Sequence, residues 1–374
     1  ALSRMSIFAL NILPYISASI IMQLASAMVP SLEQLKKEGE LGQMKINQYT
    51  RYLTIFLASV QAYGISVGLE NAQGAGGAPA VADPGFFFRL TCIITIVGGT
   101  MFLVWLGEQI TQRGIGNGIS LLIYAGIVAE LPRAIAGMLE LGRQGEFTFI
   151  TLLGVALMVV AVIVFIVFIE RGQRRIPVQY PRRQAGNAMS AAQQSHLPLK
   201  INTAGVIPPI FASSVLLLPL SIVGFTGADA TSDFMAAVSR YLQHGQPIYM
   251  VLYALLIGFF CFFYTAIVFD PKKNAERLKQ SGGFIPGIRP GQQSADFIDM
   301  VLTRLTFVGA LYLIIVCLLP EFLIARGGLP FYFGGTSLLI VVTVTIDTVA
   351  QIHAHLIAHQ YEGLIKKARL KGRR

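Results

Sequence analysis

The chain has 374 residues, of which 54% are apolar and only 13% charged, and it carries a net charge of +10. A soluble domain carries about 25% charged residues, so this composition excludes an ordinary water-soluble enzyme or binding module. The positive charge is segregated by loop, which is the pattern of a membrane protein with basic cytoplasmic loops and not of a nucleic-acid binder.

Nine long apolar stretches follow one another at 6–29, 49–69, 87–107, 117–139, 149–169, 203–224, 248–269, 299–320 and 332–352. Each approaches the ~20 residues with which a helix crosses ~30 Å of hydrocarbon. Runs this long and unalternating predict helices, because a helix satisfies its own backbone in lipid. The expected fold class is all-α, a polytopic helical bundle of about nine transmembrane helices. Pro14 in the first stretch and Pro208, Pro209 and Pro219 in the sixth predict kinked spans, since proline removes a backbone donor. Cys92, Cys261 and Cys317 all lie within apolar stretches, where a thiol behaves as a small hydrophobe, so no disulfide framework is expected.

Basic residues fill alternate gaps. The gap after the first stretch holds Lys36, Lys37, Lys45 and Arg51, and that after the third holds Arg113. The gap after the fifth holds Arg171, Arg174, Arg175, Arg182, Arg183 and Lys200, and that after the seventh holds Lys272, Lys273, Arg277, Lys279 and Arg289. The tail adds Lys366, Lys367, Arg369, Lys371, Arg373 and Arg374, whereas the other gaps carry only Arg89, Arg133, Arg143, Arg240 and Arg326. By the positive-inside rule the odd gaps and the C-terminus are cytoplasmic. Nine crossings then put residue 1 outside, which predicts at least one span ahead of it.

The external gaps at 71–85 and 225–247 are small and polar, the first a Gly-, Ala- and Pro-rich loop and the second with a short amphipathic stretch near Phe234–Leu242. The cytoplasmic gaps after the fifth and seventh stretches mix charge with anchors beside turn residues: Ile176-Pro177, Tyr180-Pro181 and Phe284-Ile285-Pro286. A spacer needs no such anchors; a protruding hairpin that docks a partner does.

Polar groups at membrane depth each cost ~2.5–3.5 kcal/mol near the centre and call for a reason. Gln23, Glu108 and Asn202 sit near the cytoplasmic ends of their stretches, at matching depth for mutual hydrogen bonds. Arg304 snorkels to the interface, and Asp347, Gln351 and His353 close the last stretch. His355 and His359 share a helical face, but no glutamate stands between them as in a zinc protease helix, and no metal site is expected. Gly114-Ile115-Gly116-Asn117-Gly118 lacks the Lys-Ser/Thr ending of a phosphate loop and reads as a tight turn opening the fourth span. No catalytic constellation is present, and neither an enzyme nor a cofactor is expected.

Longer motifs carry a family signature. Pro14-Tyr15-Ile16-Ser17-Ala18-Ser19-Ile20-Ile21, Lys36-Lys37-Glu38-Gly39-Glu40, Trp105-Leu106-Gly107-Glu108-Gln109-Ile110-Thr111 and Arg113-Gly114-Ile115-Gly116-Asn117-Gly118 resemble the SecY family of protein-conducting channels in its bacterial form. So do Glu170-Arg171-Gly172-Gln173-Arg174-Arg175, His196-Leu197-Pro198-Leu199-Lys200 with Gly205-Val206-Ile207-Pro208, Gly287-Ile288-Arg289-Pro290-Gly291, and Pro330-Phe331-Tyr332-Phe333-Gly334-Gly335-Thr336-Ser337. The resemblance covers essentially the whole chain.

It implies a ten-span clamshell of which this chain holds spans two to ten. The N-terminal half is residues 1–143 and the C-terminal half 144–374, with cytoplasmic docking loops at 170–202 and 270–298. The first span and the plug of the family precede it. The implied pore waist is a ring of Ile12, Ile16, Ile123, Ile210 and Ile340, an aliphatic constriction that dewets against ions yet yields to a passing peptide. A lateral gate is implied at Ser17, Gln23, Glu108, Asn202 and Leu218, opened by a signal peptide and releasing membrane segments into lipid. Arg171, Arg174, Arg175, Arg182, Arg183, Lys272, Lys273 and Arg289 are implied to dock a ribosome, through ribosomal RNA, or the SecA motor ATPase. The first loop departs from some relatives, which carry a further basic pair where this chain has Gly186-Asn187-Ala188. SecE and SecG subunits, nascent chains and lipid of the bacterial inner membrane complete the implied partners. A secondary transporter of a small solute is the alternative, but it calls for polar groups at the bilayer midplane, and here they sit toward the cytoplasmic side.

Overall fold

The computed structural model describes residues 6–70, 81, 83–144, 149–180, 184–185, 188–189, 194–225, 246–327 and 334–371. Among these, eleven α-helices and four short β-strands occur. The helices are α1 (Leu13–Met28), α2 (Pro30–Lys37), α3 (Glu40–Glu70), α4 (Phe86–Arg113), α5 (Gly118–Arg143), α6 (Phe149–Arg171), α7 (Ile207–Phe225), α8 (Pro247–Val268), α9 (Pro271–Gln280), α10 (Gln292–Gly327) and α11 (Gly335–Lys371). The strands β1 (Gln173–Gln179), β2 (Gln184–Ala185), β3 (Ala188–Met189) and β4 (Gln194–Lys200) all lie between α6 and α7.

Seven helical runs among the described residues are long and apolar enough to cross a membrane, and α1 with α2 makes an eighth if that pair, bent by 97°, counts as one span. The bend follows from sequence. Val29 is extended, Pro30 starts α2 without needing an N–H partner, and α2 carries Glu33 in its first turn and Lys36 and Lys37 in its last, matching the helix dipole. Glu33 and Lys37 pair at 2.7 Å, so α2 is a polar surface helix and not a continuation of the span. The ninth expected span is α7, of 19 residues, whose side chains are described only to Leu216.

Two expectations about proline are corrected. Pro14 is the second residue of α1, which begins only at Leu13 after turns over residues 7–12. Pro208 and Pro209 likewise stand in the first turn of α7. At these positions a missing donor costs nothing, so they start helices instead of kinking them. Pro219 lies within α7, beyond its described side chains, and Pro132 and Pro320 lie inside α5 and α10.

The chain forms two compact units. The first comprises Ala1–Gly137, Ser214–Gln243 and Ile340–Arg374. Within it α3 packs on α1 and α4. Along its length α3 buries Gly42, Ile46, Thr50, Thr54, Ala58, Ala62, Gly64 and Ser66, nearly all of them small. Small residues let helix backbones approach closely where no hydrophobic drive exists in lipid. Thr50 and Thr54 return their hydroxyls to the carbonyls one turn back, at 2.9 and 2.7 Å, so the close face carries no orphan donor there. Leu10, Ala58, Ala62 and Ile96 form its buried cluster.

The second unit comprises Met138–Ser213 and His244–Leu339. Here α8 and α9 pack on α10, and β1 pairs antiparallel with β4 from Gln173↔Lys200 to Gln179↔Gln194. The outer faces are apolar: Leu157, Val160, Val164 and Phe168 form an exposed stripe along α6, Phe168 at 75%. In lipid such a stripe faces its own solvent and carries no penalty.

Candidate functional site

The five implied ring residues start from ordinary helical positions. Ile12 is the cap residue of α1 and 1% exposed, and Ile16 follows one turn on, half-buried. Ile123 lies in the second turn of α5, half-buried, and Ile340 in α11 is buried. These four belong to the first unit, and Ile210, half-buried in the first turn of α7, belongs to the second. Within the first unit α5 approaches the start of α1, since a Cβ added at Gly126 would stand 3.6 Å from Asn11 Nδ2. Asn11 itself adopts φ 51°, a left-handed conformation that asparagine tolerates better than most residues.

Gln23, Glu108 and Asn202 each have a partner inside their own unit. Gln23 Nε2 donates to Ser19 Oγ at 3.2 Å. Glu108 receives Arg51 in a two-pronged pair, with Nε to Oε1 at 2.9 Å and Nη2 on Oε2. Asn202 Nδ2 donates to Glu170 Oε1 at 2.6 Å and to the Gly205 carbonyl at 3.1 Å. Within their own units, Gln23, Glu108 and Asn202 thus bond Ser19, Arg51 and Glu170 respectively. Ser17 is half-buried on α1, and the side chain of Leu218 lies outside the described residues.

The Gly114–Gly118 segment is the turn expected. Asn117 Oδ1 caps α5 by accepting from Ile119 N at 3.1 Å and Ser120 N at 3.4 Å, and Gly116 adopts φ +93°. Gly118 donates to Thr111 Oγ1 at 2.8 Å and approaches the Gly107 carbonyl too closely for any side chain. His353 and His355 are exposed on α11, and the His359 side chain lies outside the described residues.

The loops at 172–202 and 269–291 converge on one platform. Strand alternation buries Ile176 and Val178 and turns Arg175 and Pro177 outward, and Arg174 at the start of the strand is exposed as well. On the side of β1 away from β4, Gln179 exchanges both backbone hydrogen bonds with Phe284 of the second loop, at 2.9 and 3.0 Å. Gly283 lies against Val178 and Tyr180 with no room for a Cβ. Beneath, Ile176, Leu199, Ile285 and Ile298 form one buried cluster, joined by Phe269, Leu278 and Ile288 among others. Asp270 caps α9, accepting from Lys272 N at 3.0 Å and Lys273 N at 3.2 Å. The result exposes Arg171, Arg174, Arg175, Lys272, Lys273 and Arg289 on an apolar footing. Arg182, Arg183 and residues 186–187 lie outside the described residues, as do most of 71–85 and all of Phe234–Leu242.

Sequence reading missed two partners. Arg51 was countable only as a basic loop residue, although its place inside the second apolar stretch signals a need for a counter-charge. Glu170 ends the fifth stretch, a carboxyl at the rim of an otherwise apolar helix, and that position was the available signal for it.

Comparison with known proteins agrees with this architecture. The SecY family model matches residues 6–349. The chain is 60% identical over 372 residues to the protein translocase subunit SecY of Pseudomonas aeruginosa, covering all of this chain and 83% of that one. It is 58% identical to the corresponding subunit of Escherichia coli K12, again covering all of this chain and 84% of that one. A solved protein-conducting channel superposes with TM-score 0.68 at 20% identity over 94% of this chain and 82% of the other. Sec61 from a canine ribosome-channel complex of the endoplasmic reticulum superposes with TM-score 0.63 at 19% identity over the same shares. The secondary-transporter alternative is set aside, because the relatives of high identity are translocase subunits. With a family match across nearly all of its spans and 58–60% identity along its whole length, this multi-pass membrane chain belongs to the SecY family and works as a protein-conducting subunit of a translocase.

Proposed function

We propose that the chain is the central pore subunit of a bacterial Sec translocase, in the inner membrane with its C-terminus in the cytoplasm. Unfolded polypeptides thread past Ile12, Ile16, Ile123, Ile210 and Ile340, and transmembrane segments leave sideways between the two halves, residues 1–143 and 144–374. The observation that carries this reading is the 58–60% identity to translocase subunits over 372 residues, which spans every one of these positions. The ring chemistry supports it: an aliphatic waist repels ions by dewetting and offers a passing peptide no strong hydrogen bond. Ser17, Gln23, Glu108, Asn202 and Leu218 form the gate, each hydrogen bond contributing roughly 0.6–2 kcal/mol, weak enough for a signal peptide to tip.

The exposed basic residues of the platform dock the SecA motor or a ribosome, with Arg289 at the second loop's turn. Two observations support this: the arginines stand on a shared apolar core, and Sec61 and Ssh1 relatives of the same fold are found with ribosomes. SecE and SecG subunits, signal peptides and lipid are the remaining partners. The experiment is ion conductance of the complete complex in vesicles. Ile16→Asn and Ile210→Asn raise the resting leak; conductance equal to that of the parent complex would remove the ring from the account.

A further inference from the structure

Asn202 is closely held inside its own unit. It is 3% exposed, and both amide protons are spent inside its own unit, on Glu170 Oε1 at 2.6 Å and on the Gly205 carbonyl at 3.1 Å. Gly205 reaches that position through φ +64°, a conformation open to glycine. Its backbone is seated as well. Gly309 of α10 lies so close that an added Cβ would stand 2.9 Å from the Ile201 carbonyl oxygen and 3.6 Å from Asn202 Cα. What remains is Oδ1, buried and without a hydrogen-bond partner among the described residues. A buried acceptor left open costs about 1–3 kcal/mol, so a structure that fixes one has a use for it.

Glu170 is also the root of the docking hairpin. It sits at the penultimate residue of α6, directly ahead of β1, and Asn202 follows β4 by two residues. Between them the hairpin is closed by Gln173↔Lys200 and by Ile201 N donating to the Gly172 carbonyl at 3.1 Å. The Glu170–Asn202 bond is therefore the last rung of the ladder that carries the platform.

We propose that Glu170 is a positioning residue for the lateral gate: it orients Asn202 so that the residue presents only a hydrogen-bond acceptor, and it ties that setting to the hairpin that docks the partner. The inference rests on the gate reading above and deepens it. Three consequences follow from the chemistry. A gate partner of Asn202 must donate a proton to it. An ionised carboxylate, which has no proton to give, does not serve. Losing Glu170 frees the Asn202 amide to rotate, and the closed gate loosens without any gate residue being changed.

The test uses the full translocase and reads one ratio, export of a reporter with a weakened signal peptide over the same reporter with an intact one, which cancels differences in channel amount. Glu170→Ala raises that ratio by about tenfold, the population shift expected from one hydrogen bond of ordinary strength. Asn202→Ala does the same, and the two together add little more. Asn202→Asp alone raises it further, because two carboxyls then face each other, and Glu170→Gln added to Asn202→Asp restores the parent ratio by reversing the bond's direction. If Asn202→Ala shifts the ratio while Glu170→Ala does not, or if the reversed pair fails to rescue, the positioning role is overturned and the gate stands. If Asn202→Ala itself leaves the ratio unchanged, the gate reading falls and this inference with it.

Discussion

At the scale of single residues, side-chain size decides how this chain packs. The α3 face that meets α1 and α4 is built from Thr50, Thr54, Ala58, Ala62 and Ser66, with Ala58 and Ala62 fully buried. In lipid, dispersion at close range holds helices together, so one added branch there is felt directly. Ala62→Leu is expected to destabilise the protein by about 1–3 kcal/mol through overpacking, whereas Val60→Leu on the exposed face changes little. Thermal unfolding in detergent checks this, and equal midpoints for the two variants would show that the face is not closely packed. This stripe was legible in principle, as small residues every fourth position from Thr50 to Ser66. An apolar count merges it with the rest of the span, because alanine and leucine score alike while only one permits close approach. The Arg51–Glu108 and Glu170–Asn202 bonds were not legible, since they join residues 57 and 32 positions apart through packing that one sequence does not display.

At the scale of elements, apolar stretches located the spans well and their ends poorly. The second stretch, 49–69, became α3 from Glu40 to Glu70, and the eighth, 299–320, became α10 from Gln292 to Gly327. Hydropathy marks where lipid lies, but helix propagation continues past that limit wherever each further residue gains its bond. The platform shows the opposite case. Its anchors Ile176 and Ile285 stood out beside turn residues, and both are buried. Their meeting in one core was not readable, because about a hundred residues separate them. Ile285→Ala is expected to weaken both loops together by about 2–5 kcal/mol. Hydrogen exchange should then quicken at the Gln179 amide, which donates to Phe284, as much as in 283–286 itself. Faster exchange confined to the second loop would mean that the two loops stand independently.

At the scale of the whole molecule, the basic loops, the broken first span and the long identity to translocase subunits belong to a protein-conducting channel, and so to a path for polypeptide. The physical requirement on that path is indifference. It must pass arbitrary side chains without binding them and still resist ions, and aliphatic residues meet both demands where polar ones would fail one of them. The most direct measurement is site-specific photocrosslinking of an arrested secretory chain in the assembled complex, with the probe placed in turn at Ile12, Ile16, Ile123, Ile210 and Ile340 and, as a lipid-facing control, at Val164 on the exposed stripe of α6. The account predicts adducts with the arrested chain at all five isoleucines and none at Val164. Adducts absent from the five, or no more frequent there than at Val164, would contradict it.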